Sequence, residues 1–579
     1  MKKITLFFFM LMLMLPITAR AVTQEDLQQK MQDLTRQLDD LKKQMDSIQT
    51  QQKMTESRVE AAEETTKVVS DKFSWLTIGG DYRFRYDYLK GEVQPHFNFS
   101  VFENVLYDYF QSQALLGNAM PMSLPNGLNT IGVPVDPSTM MNLQSQAAFA
   151  NGYKVKNTSL FLNRFRLNLK AQVTENIAVK ARLAMYKIWG HQTSGPITGK
   201  GYFADRITPD GAPFDGQVGD IPLNNTLYVD YAYATWSNIF DLPVWFSIGR
   251  RPSTHGVPGN YRQNEKKPGT SGVPSFLIDY AFDGLTVGVA PDIEFLPGFY
   301  AKLCYGKGFD SGYSTDIPGD NNPKDVNFLG LNIVPIDTDN FLVELQWNRA
   351  FDIFDTFPDS GVKANLGNID QFGALLTYKF ANLGMGDLNL FGAAALSKTH
   401  PSNETLNMDI LQPVDTNNDM IPDTIVMIPN APLAGLLYDI DPATGQPVNK
   451  QSRTGHHFYV GARYDINKTK TKIGFEYNYG SKYWITFGPA SDDIWTNKLG
   501  THGSVYEAYI IQELPEIPVA MLGKAYLRLG YQYYNFNYTG SNSWVGEPKK
   551  IKDLTAASTE FLAPMKKAQD IYFTFDVRF

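Results

Sequence analysis

The sequence predicts an all-β fold: a transmembrane antiparallel β-barrel of about sixteen strands, preceded by an N-terminal α-helical coiled coil. Three observations carry this reading. Beyond Phe73, apolar and polar residues alternate with a period of two. The connections between these segments alternate between long and short. The chain holds 37 Phe, 31 Tyr and 8 Trp, yet after its first residues it has no apolar run long enough to cross a bilayer as a helix. Successive side chains of a strand point to opposite faces, so one face can meet lipid while the other meets water.

The chain opens "MKKITLFFFMLMLMLPITARAV". Lys2 and Lys3 form a basic start, Leu6 to Leu15 an apolar stretch too short to span a membrane, and Ala19-Arg20-Ala21 a small-x-small cleavage site, which together read as a signal peptide over residues 1–21. Residues 22–72 follow as a periplasmic coiled coil. Leu27, Met31, Leu34, Leu38, Leu41, Met45 and Ile48 step by four and three, and the register runs on through Gln52, Thr55, Val59 and Ala62. Such a helix buries its apolar seam only against another copy, so it implies a homo-oligomer. With Cys304 as the one cysteine, the chain can form no internal disulfide. It has no C-x-x-C-H, and a spread net charge of −8 argues against nucleic acid as a partner.

Residues 73–579 read as the barrel. "LTIGGDYRFRYDYL" sets Ile78, Tyr82, Phe84, Tyr86 and Tyr88 against Asp81, Arg83, Arg85 and Asp87. "NRFRLNLKAQV" and "QDIYFTFDVRF" behave alike. Sixteen strands are expected at 76–89, 160–173, 177–189, 225–237, 243–251, 275–290, 298–308, 326–335, 340–350, 368–380, 387–397, 456–466, 471–483, 503–513, 524–538 and 569–579. The long connections, among them 90–159, 190–224, 398–455 and 539–568, fall on one side and the short turns on the other. Long external loops and short periplasmic turns are the pattern of an outer-membrane barrel. Asp283-Gly284 would turn 275–290 into a hairpin under an eighteen-strand count. Trp75, Trp236 and Trp245 mark the periplasmic ends of strands, and Trp189, Trp347 and Trp484 the external ends, as two aromatic girdles would.

With these features in place the chain resembles a bacterial outer-membrane porin. Its terminal Phe579, with Phe575 and Val577 at alternate positions before it, resembles the signal by which the barrel assembly machinery recognises its substrates. A coiled coil ahead of a sixteen-strand barrel resembles the phosphate-selective porin type, and that resemblance implies a trimer. "SIGRRPSTHG" at 247–256 resembles a strand-end motif of a porin-like outer-membrane family described as a domain of unknown function.

Inward positions carry Arg83, Arg85, Arg164, Arg166, Lys170, Lys180 and Arg182 on three neighbouring strands, and Arg251 on the fifth. Asp230, Asp279, Glu344, Glu476, Glu507, Asp570 and Asp576 occupy other inward positions. A basic wall facing carboxylates sets a field across water and would favour anions. The same charges read equally well as solvated or paired with one another. In the 398–455 loop, Asp415, Asn417, Asp419, Ile421 and Asp423 match positions 1, 3, 5, 7 and 9 of a calcium loop, although Met420 replaces the turning glycine and the closing glutamate is missing. The alternative there is an acidic surface loop. Neither G-x-S-x-G, H-E-x-x-H nor a phosphate loop occurs, and alternation separates His456 from His457, so no enzyme is expected. Two functions fit: a channel for passive diffusion of small hydrophilic solutes, or a non-conducting scaffold, sheath or envelope tether for a partner such as an electron-transfer cytochrome. The 90–159 segment is long enough to fold into the lumen and narrow it.

Replacing Leu34, Leu38 and Leu41 with Asp would bury unpaired charge in the heptad seam. Crosslinking between N-terminal segments is expected to disappear while the barrel still inserts.

Overall fold

The first and last barrel strands lie side by side. In a computed structural model, β1 (Leu76–Val93) pairs antiparallel with β16 (Met565–Arg578), matching Tyr82 with Val577, Phe84 with Phe575 and Tyr86 with Phe573 on one face. Arg83 meets Asp576 on the other. Gly80 and Phe579 exchange backbone hydrogen bonds of 2.8 and 3.0 Å. Gly80 has no room for a Cβ, which would lie 2.4 Å from the Arg166 carbonyl and 2.8 Å from the Phe579 ring.

The described residues are 74–579 apart from 125–128, 148, 191–221, 223–224, 270–271, 314–323, 355–364, 403, 405–406, 418–420, 433–438, 441–446, 449–450, 489–491, 516–522, 542, 545–546 and 561–562. The expected signal peptide and coiled coil, and most of the 190–224 loop, lie outside them.

The remaining strands are β2 (Tyr153–Gln172), β3 (Ile177–Ile188), β4 (Tyr228–Trp236), β5 (Val244–Ser253), β6 (Tyr280–Val289), β7 (Tyr300–Phe309) and β8 (Val326–Asp337). They continue with β9 (Phe341–Phe354), β10 (Asn365–Leu383), β11 (Gly386–Pro401), β12 (Thr454–Ile466), β13 (Thr471–Gly480), β14 (Gly503–Glu513) and β15 (Lys524–Phe536). Each strand pairs with its sequence neighbours, and the sheet closes as one sixteen-strand barrel. Asp283-Gly284 is no turn: both residues pair with β5 and β7, so the eighteen-strand count falls away.

Alternation does what a lipid-embedded wall needs. Ile78, Ile248, Leu303, Phe372, Phe458, Phe475 and Leu529 are exposed on the outside. Arg83, Asn332, Gln371, Glu476, Glu507 and Asp570 are buried on the inside. Trp189 packs tilted against Phe84 and Phe161 at one rim, and Trp236 edge-on against Phe240 at the other. Two tryptophans depart from the girdle expectation. Gly288 leaves room on the lumen face for the Trp245 ring. Trp484 is completely buried inside, because β13 stops at Gly480.

The 90–159 connection folds with the distant 398–455 loop. It forms α1 (Phe99–Leu115), capped by the Asn98 side chain, and α2 (Pro137–Ala147). A hairpin of Asn407–Val414 and Thr424–Pro432 adds the strands Asn129–Pro134 and Met120–Ser123. Phe102, Leu106, Phe110, Val133, Leu411 and Ile425 form the core of this cap. Other loops fill the lumen.

Within the cap, Glu103 Oε2 accepts the Leu411 N–H at 3.2 Å, while Oε1 is buried with no hydrogen-bond partner among the described residues. Burial pushes this carboxyl up to about 7, and the Leu411 N–H only partly opposes the shift. Folding therefore takes up a proton between the ordinary glutamate pKa of 4.5 and about 7, and cap stability falls as pH rises through that window. Amide exchange at Leu411, corrected for its intrinsic rate, is expected to be faster at about pH 8 than at about pH 5. Glu103→Gln should remove the difference.

Candidate functional site: a filled lumen

Sixteen strands enclose more space than their own inward side chains fill, so such a lumen holds water, loops or a partner. Among the described residues, two loops occupy it. The first, residues 254–279, joins β5 to β6 and is called L3; the second, residues 481–502, joins β13 to β14 and is called L7.

L3 folds back on itself where it enters. A Cβ on Gly256 would lie 1.5 Å from the Val273 carbonyl oxygen, so only glycine allows the two limbs to meet. A single helical turn, Gly259–Arg262, then offers its carbonyls to the wall. Arg463 donates to Tyr261 O at 2.7 Å, Arg528 to Arg262 O at 2.8 Å, and Arg578 to Asn264 O at 2.9 Å. Lys472 donates to the Asn264 side chain at 2.7 Å, and Lys267 pairs with Asp337 at the short-turn end of β8. L3 thus runs from the long-loop rim to the short-turn rim. On the wall, Gly373 makes room for it: a Cβ there would meet Leu277 at 2.6 Å.

L7 packs beside L3. Asp279 N–H donates to Phe487 O at 2.8 Å and Phe487 N–H to Leu277 O at 2.9 Å, a strand-like exchange between the loops. His457 of β12 lies between them, stacked 4.8 Å from Trp484 and 6.1 Å from Phe276. The Trp484 indole donates to Leu499 O at 2.7 Å, and the Trp495 indole to Gln569 O at 3.0 Å. Lys498 pairs with both Glu476 and Glu507, and Arg262 of L3 pairs with Asp493 of L7.

The predicted basic wall faces inward, but its four arginines on β1 and β2 are buried. Arg83, Arg85, Arg164 and Arg166 are each at most 2% exposed. Arg83 binds Asp492 and Asp576; Arg85 binds Asp87 and Asp570; Arg166 binds Asp81 at 2.8 Å and Glu265 at 3.3 Å. Arg182 reaches Asn168 at 2.6 Å and Asp230 at 3.5 Å. Arg251 donates to Ser247 at 2.8 Å and lies over the rings of Tyr233 and Trp245. Lys180 is half-buried beside the exposed Lys170 near the short-turn end.

Asp492 was not visible as a site residue in the sequence. Its carboxylate is surrounded by the guanidinium groups of Arg83, Arg85, Arg164 and Arg528. A signal did exist. "DDIWTNKL" puts Ile494, Trp495 and Leu499 in a long loop, and such residues need cover.

In the expected calcium loop, Asp419 lies outside the described residues. Asp423 accepts the Thr416 hydroxyl at 2.8 and 2.9 Å, and Asp415 accepts the Asn417 N–H at 3.1 Å. A calcium ion there would compete with these donors.

A family model matches residues 154–579, from the start of β2 to the last residue, and so takes in both L3 and L7. The chain belongs to this family, described as Protein of unknown function (DUF3373). No curated protein matches the sequence. Among solved structures, Pseudomonas putida OprB is similar at 10% identity and a TM-score of 0.38, over 89% of this chain and 96% of that one. An anion-selective porin from Comamonas acidovorans is similar at 9% identity and 0.34, over 86% and 99%. The trimer form of Vibrio cholerae OmpT is similar at 11% identity and 0.34, over 87% and 99%.

Lys498→Met would leave Glu476 and Glu507 buried against each other without their shared cation. A loss of about 3–5 kcal/mol is expected. It should be read as a lower denaturation midpoint of the folded band on unheated gels, with new protease cleavage inside 481–502.

Proposed function

We propose that this protein is a porin-like channel of the outer membrane, passing small hydrophilic solutes by diffusion, and that L3 and L7 hold it closed in the conformation described above. The carrying observation is the contrast between a closed, outwardly apolar barrel and a polar lumen traversed by two loops. The ties between loops and wall are largely ionic or to backbone carbonyls, such as Lys498 to Glu476 and Arg463 to Tyr261. Water can replace such contacts when a loop withdraws. In this reading the N-terminal heptads would join three copies in the periplasm, and calcium at Asp415, Asn417, Asp419 and Asp423 would stiffen the cap.

The filled lumen also supports a second reading, a silent barrel that serves as a scaffold. A sheath threaded by a cytochrome is less favoured, because Arg262, Asp492 and Trp484 occupy the space such a partner would need.

Conductance across planar bilayers separates the two. The wild-type barrel should give small or rare openings, and replacing 484–497 with a short Gly-Ser linker should raise the steady current roughly tenfold or more. A large steady wild-type current would overturn the closed lumen. Silence from both proteins, each correctly folded, would establish the scaffold reading instead.

A further inference from the structure

We infer that the lumen wall carries a binding site for a tetrahedral oxyanion, and that the carboxylate of Asp492 is its internal occupant. The inference rests on the reading of the chain as a loop-filled porin-like barrel.

Four guanidinium groups converge on that one carboxylate. Arg83 contacts Oδ2 directly; Arg85 and Arg164 lie 3.9 Å from Oδ1, and Arg528 lies 3.9 Å from Oδ2. Two neutral donors complete the cradle: the Tyr186 hydroxyl at 3.1 Å and the Gln263 amide at 3.1 Å. Arg85 also donates to the Asp492 carbonyl at 2.7 Å. Arg83, Arg85, Arg164, Arg528 and Tyr186 all belong to the wall, on β1, β2, β3 and β15. Only Gln263 and Asp492 arrive on loops. The cradle is therefore a feature of the barrel, and its occupant a feature of L7.

A carboxylate fills it incompletely. Among the described residues, Arg164 Nε and Nη1 and Arg528 Nε are buried with no hydrogen-bond partner. Buried N–H groups are almost always paired, and charged ones cost most when they are not. Arg83 and Arg85 have further carboxylates in Asp576, Asp87 and Asp570. Among the described residues, Arg164 has one further carboxylate, Asp81 at 3.5 Å, and Arg528 turns Nη1 to the Arg262 carbonyl. Two oxygens cannot serve four forks. Phosphate or sulfate offers more acceptor oxygens and suits guanidinium forks, which bind such groups through paired N–H donors. When Asp492 withdraws, the wall loses one negative charge and keeps all its arginines, so an anion from solution would bind in its place. Asp492 then acts as a competitor, and oxyanion binding and L7 docking exclude one another.

The test uses the full-length protein in detergent, with inorganic phosphate as the probe and calorimetry as the readout. Asp492→Ala should bind phosphate at least ten times more tightly than wild type, sulfate should bind similarly, and chloride should not. Adding Arg164→Gln should abolish the gain. Asp492→Asn keeps the side-chain shape and removes the same charge, so it too should bind phosphate more tightly than wild type, and it replaces Asp492→Ala where the smaller residue disturbs the loop. A folded Asp492 variant with no gain, or a gain that survives Arg164→Gln, overturns the proposal. Wild type gives a separate reading. Phosphate should increase protease cleavage within 481–502 relative to chloride at equal ionic strength, and equal cleavage in both overturns the competition. Binding is measured without current, so a silent barrel that binds phosphate would sink the channel and leave the site. A conducting barrel whose Asp492 variants gain no phosphate binding would do the reverse.

Discussion

A closed sheet of sixteen strands has a fixed circumference, and the space inside it must be occupied by something. Everything distinctive about this protein follows from how that space is used. The outward face is settled by lipid, which accepts Ile78, Phe372 or Leu529 at little cost. The inward face is left with arginines and carboxylates that neither lipid nor empty space can stabilise. L3 and L7 supply the missing partners. They bring their own carboxylates, Glu265, Asp492 and Asp493, and their own carbonyls, to a wall rich in guanidinium groups.

The interior is accordingly organised like the inside of a soluble protein whose core is half ionic. Apolar packing contributes around Phe276, Leu277, Trp484 and Phe487, where the loops touch the wall and each other. The charged part is of a different kind. Buried ion pairs seldom add much net stability, because desolvation offsets most of the attraction, yet removing one partner is costly. Such a network favours a single arrangement of the two loops more than it favours a very stable one.

The barrel was legible in the sequence because lipid imposes alternation on every strand. All sixteen segments were found, and β14 at its observed bounds, Gly503–Glu513. The wall arginines were legible for the same reason, since parity alone sends Arg83, Arg85, Arg164 and Arg166 inward. What alternation could not reveal was who meets them. Asp492 lies some four hundred residues from Arg83, in a loop with no period at all. L3 hid differently. Its apolar Phe276, Leu277 and Ile278 run straight into β6, so the segment 275–290 read as one strand while its first residues belong to the lumen filling. Trp484 was misread because an extended loop segment carrying aromatic residues looks like a strand end at an interface. The partnership of 90–159 with 398–455 was invisible, because nothing local in α1 points to a hairpin about three hundred residues away.

The pairing of β1 with β16 bears on how such a molecule comes into being. The hydrogen bond between Arg83 and Asp576 joins residues 493 positions apart, so the seam cannot be sealed until nearly the whole chain is available. Until then the growing sheet keeps two raw edges, each a template for pairing with a neighbour. Contacts so distant along the chain are also the slowest to find. Arg83 holds both Asp576 across the seam and Asp492 of the loop within, so one side chain is shared between closing the wall and seating the contents. Filling and sealing are thus coupled through a single guanidinium, and a wall sealed first would have to admit both loops through its own mouth.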